Sequence, residues 1–238
     1  MSNLPFSYTL RRSQRAVKVR IIVTADKVEV VAPIKVPERR IQQFVQDKQQ
    51  WIIQALAKTA ERSRHHQSLR PAVYSDGATI PYLGNSYHLT VRPSKLKKIK
   101  IELADGFLAH VPEAWLEKEH SEDVKAALTL WMKKQAVLHV QQLVNRHAVK
   151  NRLFPRTVSI KTQKSRWGSC GIHNDIHINW LLIMAPPEVL EYVVVHELCH
   201  IQVRNHSAQF WNLVGEHLPD YQNQRRWLKQ HGGNLMRG

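Results

Sequence analysis

The segment His196-Glu197-Leu198-Cys199-His200 constrains this chain more than any other. It is an H-E-x-x-H pattern, whose chemistry requires that it lie on a helix. The flanks meet that requirement. Glu191, Tyr192, Val193, Val194, Val195 and Leu198 make an apolar-rich helical stretch, and Pro186-Pro187 precede it. A helix is expected from about Glu188 to Gln202. Four residues along a helix advance it by about 6 Å and turn it by about 40°, so His196 and His200 project from one face. Two imidazoles so placed can share a zinc ion at about 2.0–2.1 Å each. Glu197 is next to the first ligand and reaches the reacting water without filling a coordination position. As general base it would take that water's proton and pass it to the leaving group.

A catalytic zinc needs a third protein ligand and an open position. His206 is the strongest candidate by spacing, with Glu216 and His217 as alternatives on a following helix. On a continued helix His206 would lie out of reach, so the chain is expected to turn after Val203. Asn205, which tolerates left-handed backbone, is the expected turning residue.

Upstream, the chain reads as β-rich. Val17, Val19 and Ile21, then Val28, Val30 and Val31 across the Ala25-Asp26-Lys27 turn, suggest a hairpin. Pro37 suits a first helical residue. A helix bearing Ile41, Phe44, Val45, Ile52, Ala55 and Leu56 should follow, and polar Glu61 to Arg70 should be a loop. Strand-like patterning runs from Ala72 to Val111, with Asp105-Gly106 joining Ile99–Leu103 to Phe107–Val111. Ser121 is a candidate N-cap for a long helix to about Val149, with Val124, Leu128, Trp131, Leu138 and Val144 as its apolar stripe. Strands at Val158–Lys161 and near Ile176–Trp180 precede the motif helix, and further helices are expected near Ser207–Glu216 and Tyr221–Gln230. This is an α+β chain with an expected division into residues 1–115, β-rich with one helix, and 116–238, bearing the chemistry.

The 238 residues carry a formal net charge of +16. Residues 1–70 hold 14 Lys and Arg against 5 Asp and Glu, whereas residues 191–238 hold 5 against 4. The surplus points to an anionic partner and the N-terminal region to non-specific nucleic-acid contact, although no nucleic-acid-binding motif is present. Two cysteines exclude a disulfide scaffold. The longest apolar run, Trp180 to Ala185, is far too short to span a bilayer. A cytoplasmic protein with reduced thiols and no membrane partner is expected. The sequence does not specify an oligomeric state.

The motif, with Asn205-His206-Ser207, Phe210-Trp211, Ser165-Arg166-Trp167-Gly168-Ser169-Cys170 and Asn179-Trp180, resembles the YgjP-like metallopeptidase family. Arg11-Arg12-Ser13, Asp76-Gly77 and Tyr82-Leu83-Gly84 fit as well, so the resemblance covers nearly the whole chain. It implies a zincin-like half with a long backing helix, a small sheet and the motif helix. It further implies one zinc per chain on His196, His200 and His206, with Glu197 catalytic. The family is distantly similar to the SprT-like proteases.

Arg166, Trp167, Gly168 and Ser169 are candidate substrate-binding residues: Arg166 for an anionic or carbonyl oxygen, Gly168 for close backbone approach. A structural corner, with Trp167 in the core, is the competing account. Cys199 is expected to pack as a small buried residue, and Cys170 lacks an identifiable base for nucleophilic work. His173 and His177 are either exposed histidines or a second metal pair. The leading expectation is a zinc-dependent metallopeptidase acting on a peptide or protein. A metal-dependent nucleotide pyrophosphohydrolase or phosphoesterase acting on an anionic small molecule is the alternative, and a nucleic-acid-associated protein with a protease domain is the third.

Overall fold

The computed structural model describes residues 4–24, 27–65, 68–115 and 118–236. The chain folds into two compact units, Met1–Gln67 and Ser68–Gly238. The class is α+β, as expected.

In the first unit, β1 (Tyr8–Ser13) pairs parallel to β3 (Val28–Pro33), and β2 (Arg20–Val23) pairs antiparallel to β3's other edge. The expected hairpin is thus β2–β3, but it starts only at Arg20, and Val17 is 89% exposed. Its turn residues 25 and 26 lie outside the described residues. Alternate residues of β3, Val28, Val30 and Ala32, face helices α1 (Glu38–Asp47) and α2 (Gln49–His65) through Ile41, Val45 and Ile52. The expected single helix is two, because the chain bends at Lys48. Pro37 caps α1 from outside rather than opening it. The second helix continues through Glu61–His65, where a loop was expected.

The second unit opens with β4 (Thr79–Tyr82), β5 (Asn85–Ser94), β6 (Lys100–Leu103) and β7 (Phe107–Pro112), ordered β4-β5-β7-β6. The hairpin around Asp105-Gly106 forms as expected. Helix α3 (Ser121–Asn151) buries every fourth residue, Val124, Leu128, Met132, Ala136, Val140, Val144 and Ala148, in one continuous stripe. Leu138, expected in that stripe, is 56% exposed. Ser121 does not cap α3. Its hydroxyl accepts from the Tyr74 N–H at 2.9 Å, and His120 stands at the cap. Trp131 of α3 meets Phe107 edge-on at 5.1 Å and Tyr82 at 5.2 Å. Strands β4–β7 therefore share a core with α3, and the boundary expected at 115/116 lies inside this unit.

A second small sheet, ordered β8-β10-β9, contains β8 (Thr157–Lys161), β9 (Gly168–Cys170) and β10 (Asp175–Asn179). Asn179 is fully buried and uses both ends of its amide. It donates to the carbonyls of Gln163 (2.8 Å) and Arg166 (3.2 Å) and accepts from the Leu181 N–H. One side chain thus fixes both the loop before β9 and the buried 3-10 segment Trp180–Met184. That segment leads into α4 (Pro187–Cys199), followed by α5 (Ala208–His217) and α6 (Tyr221–Met236). Gly84, at φ +78°, turns β4 into β5 against Pro186, whose Cα would lie 2.9 Å from an added Cβ. Among the described residues, no helix is long and apolar enough to cross a membrane.

Candidate active site

Helix α4 is apolar on nearly every face and is buried along most of its length. Such a helix belongs inside a core, and it takes Glu197 with it. The helix ends at Cys199, with His200 as its right-handed cap, and the chain reverses at once. His200 Nδ1 lies 3.0 Å from the Val203 carbonyl, which can only accept, so Nδ1 carries the proton. The helix ends three residues earlier than expected, and this bond leaves the His200 Nε2 lone pair free. Asn205 does not adopt the expected left-handed backbone. Its Oδ1 accepts from the Ser207 N–H at 3.3 Å and sets up the start of α5.

The early reversal brings His206 back. Its Nε2 lies 3.0 Å from Nε2 of His196, and the three ring centroids are 4.8 to 5.0 Å apart. One ring nitrogen each of His196, His200 and His206 could serve as a ligand, and these atoms lie within 4.8 Å of one another. Two nitrogens on a tetrahedral zinc are about 3.4 Å apart at the usual bond lengths, so the observed spacings bracket what such an ion requires. The donors fit as well. Burial pushes the His196 imidazole down to about 3, with the neighbouring histidines adding to the effect, so it presents a neutral lone pair.

Phe210 is fully buried beneath the triad. Its ring centroid lies 4.8, 4.4 and 4.9 Å from those of His196, His200 and His206, stacked on His200. Trp211 stacks on His206 at 5.6 Å. Glu216 and His217 do not join the cluster. His217 lies where the charges of His147 and Lys150 act on it.

Glu197 is 5% exposed, and burial pushes its carboxyl up to about 8 while the charge of Arg166 pulls the other way. Gly168 of β9 faces it directly. A Cβ at Gly168 would come 2.5 Å from Glu197 Oε1 and 2.7 Å from its Cγ. On the Cβ side of this glycine the space is filled by the carboxylate. Trp167 packs over Gly232 of α6 and lines a cleft of about 240 Å³ with Gly168, Tyr192, Val193, His196, Glu197 and Leu228. Arg166 is exposed at its margin. Strand alternation puts Ser169 on the face opposite Gly168 and Cys170.

Cys199 is buried, and its thiol is pushed up to about 12, first by desolvation. Desolvation also raises Cys170. The Arg204 guanidinium donates to its sulfur at 3.5 Å, to the Gly171 carbonyl at 2.8 Å, and to Asn174, clamping the turn after β9. His177 Nδ1 is 2.7 Å from the Ser159 hydroxyl across the sheet, and no second metal cluster forms around it among the described residues. The contributions of Arg204 and of the ring contacts between α4, α5 and α6 had no sequence signal of their own, because they join residues on separate elements.

The family profile described as "YgjP-like, metallopeptidase domain" matches residues 17–231. Among solved structures, the metallopeptidase zymogen jannalysin of Methanocaldococcus jannaschii is similar, with 20% identity and a TM-score of 0.35. The match covers 38% of this chain and 94% of that one. The zymogen abylysin of Pyrococcus abyssi matches with 19% identity and a TM-score of 0.35, over 38% of this chain and 93% of its own. A comparison with curated proteins found no match. With the profile covering most of its length, the chain belongs to the YgjP-like metallopeptidase family.

Proposed function

We propose that the protein is a zinc-dependent metallopeptidase in which His196, His200 and His206 hold one zinc ion and Glu197 is the general acid–base. The observation that carries this reading is a buried carboxylate adjoining three converging imidazoles at the edge of a cleft. A zinc ion, when bound, supplies a Lewis acid that polarises the electrophile and acidifies water. The residues supply the rest. A carboxyl pushed up to about 8 sits near neutrality, where one group can both accept a proton from the attacking water and return it to the leaving nitrogen. Gly168 fixes that carboxylate by contact. Trp167 and Leu228 wall the cleft. Arg166, exposed beside the cleft, would hold the carbonyl or an anionic oxygen.

The test is cleavage of a broad peptide panel by the zinc-loaded protein. Glu197→Gln should retain zinc and lose at least 100-fold in turnover, on the scale of about 10²–10⁴ for general acid–base catalysis. No cleavage by the parent protein, or loss of zinc from Glu197→Gln, overturns the assignment.

A second reading, hydrolysis of a phosphoanhydride, draws support from Arg166, which makes no ion pair with any described carboxylate beside the site. Phosphate or pyrophosphate release from nucleotides, abolished by His196→Ala, would favour it over proteolysis. For the basic N-terminal unit we propose contact with nucleic acid. The support is a cavity of about 270 Å³ lined by Arg15, Lys18 and Arg20 with no acidic residue. Phosphate contacts require binding to weaken steeply with salt, and salt-independent affinity would exclude the role.

A further inference from the structure

Arg225 lies on α6, one turn beyond Tyr221, and its guanidinium carbon sits 4.1 Å from the centre of the Trp211 ring. That ring belongs to a stack running to the histidine triad. Tyr192 stacks on Tyr221 at 6.3 Å and 19°, Tyr221 on Trp211 at 5.6 Å and 13°, and Trp211 on His206 at 5.6 Å and 22°. Arg225 is exposed and forms no ion pair with any described carboxylate. The Trp211 ring also lies 5.7 Å from that of His196, which lines the cleft together with Tyr192. Arg166, two residues before β9, carries a second exposed guanidinium, again with no ion pair to a described carboxylate.

A guanidinium lying on an aromatic face is held in orientation by cation–π attraction while its edge N–H donors stay available. Those donors match the paired oxygens of a carboxylate or phosphate. A structural cation would be expected to meet a protein carboxylate, and among the described residues Arg225 meets none. We propose that Arg225 is a specificity-determining residue that binds an anionic oxygen group of the substrate beside the triad. The group is a peptide carboxylate, from an acidic side chain or a free C-terminus. The choice of a peptide rests on the metallopeptidase reading; the anion binding does not.

The test compares zinc-loaded wild type, Arg225→Gln, Arg225→Lys and, as a control, Arg226→Gln, whose guanidinium reaches Asn223 instead. Substrates are matched peptides with Glu or Gln at each position flanking the cleaved bond, with free or amidated C-termini. Wild type is expected to favour the acidic series, the free-terminus series, or both, which separates the two carboxylate sources. Arg225→Gln should lower that preference in kcat/KM about tenfold or more, mainly through KM, on the scale of a charge-assisted hydrogen bond. Arg225→Lys should keep part of it and Arg226→Gln all of it. Equal preference in wild type and Arg225→Gln, with Arg225→Gln showing an unchanged near-ultraviolet circular dichroism spectrum, overturns the proposal and leaves the peptidase reading standing. If wild type cleaves no peptide, the peptidase reading fails and tripolyphosphate decides. Its binding to zinc-free protein, followed by tryptophan fluorescence, should weaken at least tenfold in Arg225→Gln, and unchanged binding overturns the proposal.

Discussion

The α-carbon of Gly168 is packed so closely against the carboxylate of Glu197 that a methyl group there would fall 2.5 Å from Oε1. The contact limits where the proposed general base can stand, because Glu197 is buried on α4. Gly168→Ala is expected to keep zinc and to lower kcat at least tenfold by displacing the carboxylate. Overpacking costs about 1–3 kcal/mol, so a modest loss in denaturant midpoint should accompany it. Full activity in Gly168→Ala would show that the position of Glu197 is not limiting.

Phe210 supports all three imidazoles from below and has no exposed surface. Phe210→Ala should destabilise the protein by about 3–5 kcal/mol, as large-to-small core changes do, and weaken zinc binding through loosened rings. Phe210→Leu, which fills most of the space, should recover most of the stability. Calorimetry with and without zinc separates the two effects, and unchanged zinc affinity in Phe210→Ala would limit the residue to core packing.

Side chains brought together by one helix are legible in the sequence, and those brought together from separate helices are not. His196, Glu197 and His200 follow from a spacing of four on a local helix, and that holds regardless of the rest of the chain. His206 was legible as a candidate, yet its route was misread. The chain turns at a side-chain bond from His200 to Val203, and Asn205 serves α5 instead. Tyr192, Trp211, Tyr221 and Arg225 assemble from three helices, and no periodicity within any one of them relates their rings. The unit boundary was missed for the same reason: the contacts of Trp131 with Tyr82 and Phe107 tie strands to a helix that follows them. Leu138 shows the limit of apolar patterning, since a helix packed on one side leaves some leucines facing out.

Asp175 accepts from the Arg156 guanidinium and from the Thr157 hydroxyl, holding β10 to the start of β8. These partners, the Arg156 bond first, lower its carboxyl from the usual 3.8 to about 2. A carboxyl depressed in the folded state stabilises it fully above the unfolded value and loses that contribution as pH falls through the folded one. Wild type should therefore lose stability between about pH 4 and pH 2 from this group, and Asp175→Asn should flatten that part of the profile. Urea midpoints measured across that window give the comparison. Identical slopes for the two proteins would show the pair to be silent, as exposed pairs often are.

Zinc removal should weaken the fold without unfolding it. The triad stands at the C-terminal end of α4, while Val189, Leu190, Val193 and Val194 anchor the rest of that helix in the core. Phe210 and the His200–Val203 bond already order the imidazoles with protein contacts alone. Binding to the native state alone adds about 2.7 kcal/mol at a free zinc concentration 100-fold above Kd. For a unit of this size that is roughly 5–10 °C in melting temperature. A chelator should remove that increment and leave a cooperative transition, whereas small domains built around a structural zinc unfold outright. His206→Ala should melt near the chelated wild type and gain little from added zinc. Unfolding on chelation at room temperature would make the metal a structural requirement. A zinc-dependent rise undiminished in His206→Ala would remove that residue from the ligand set.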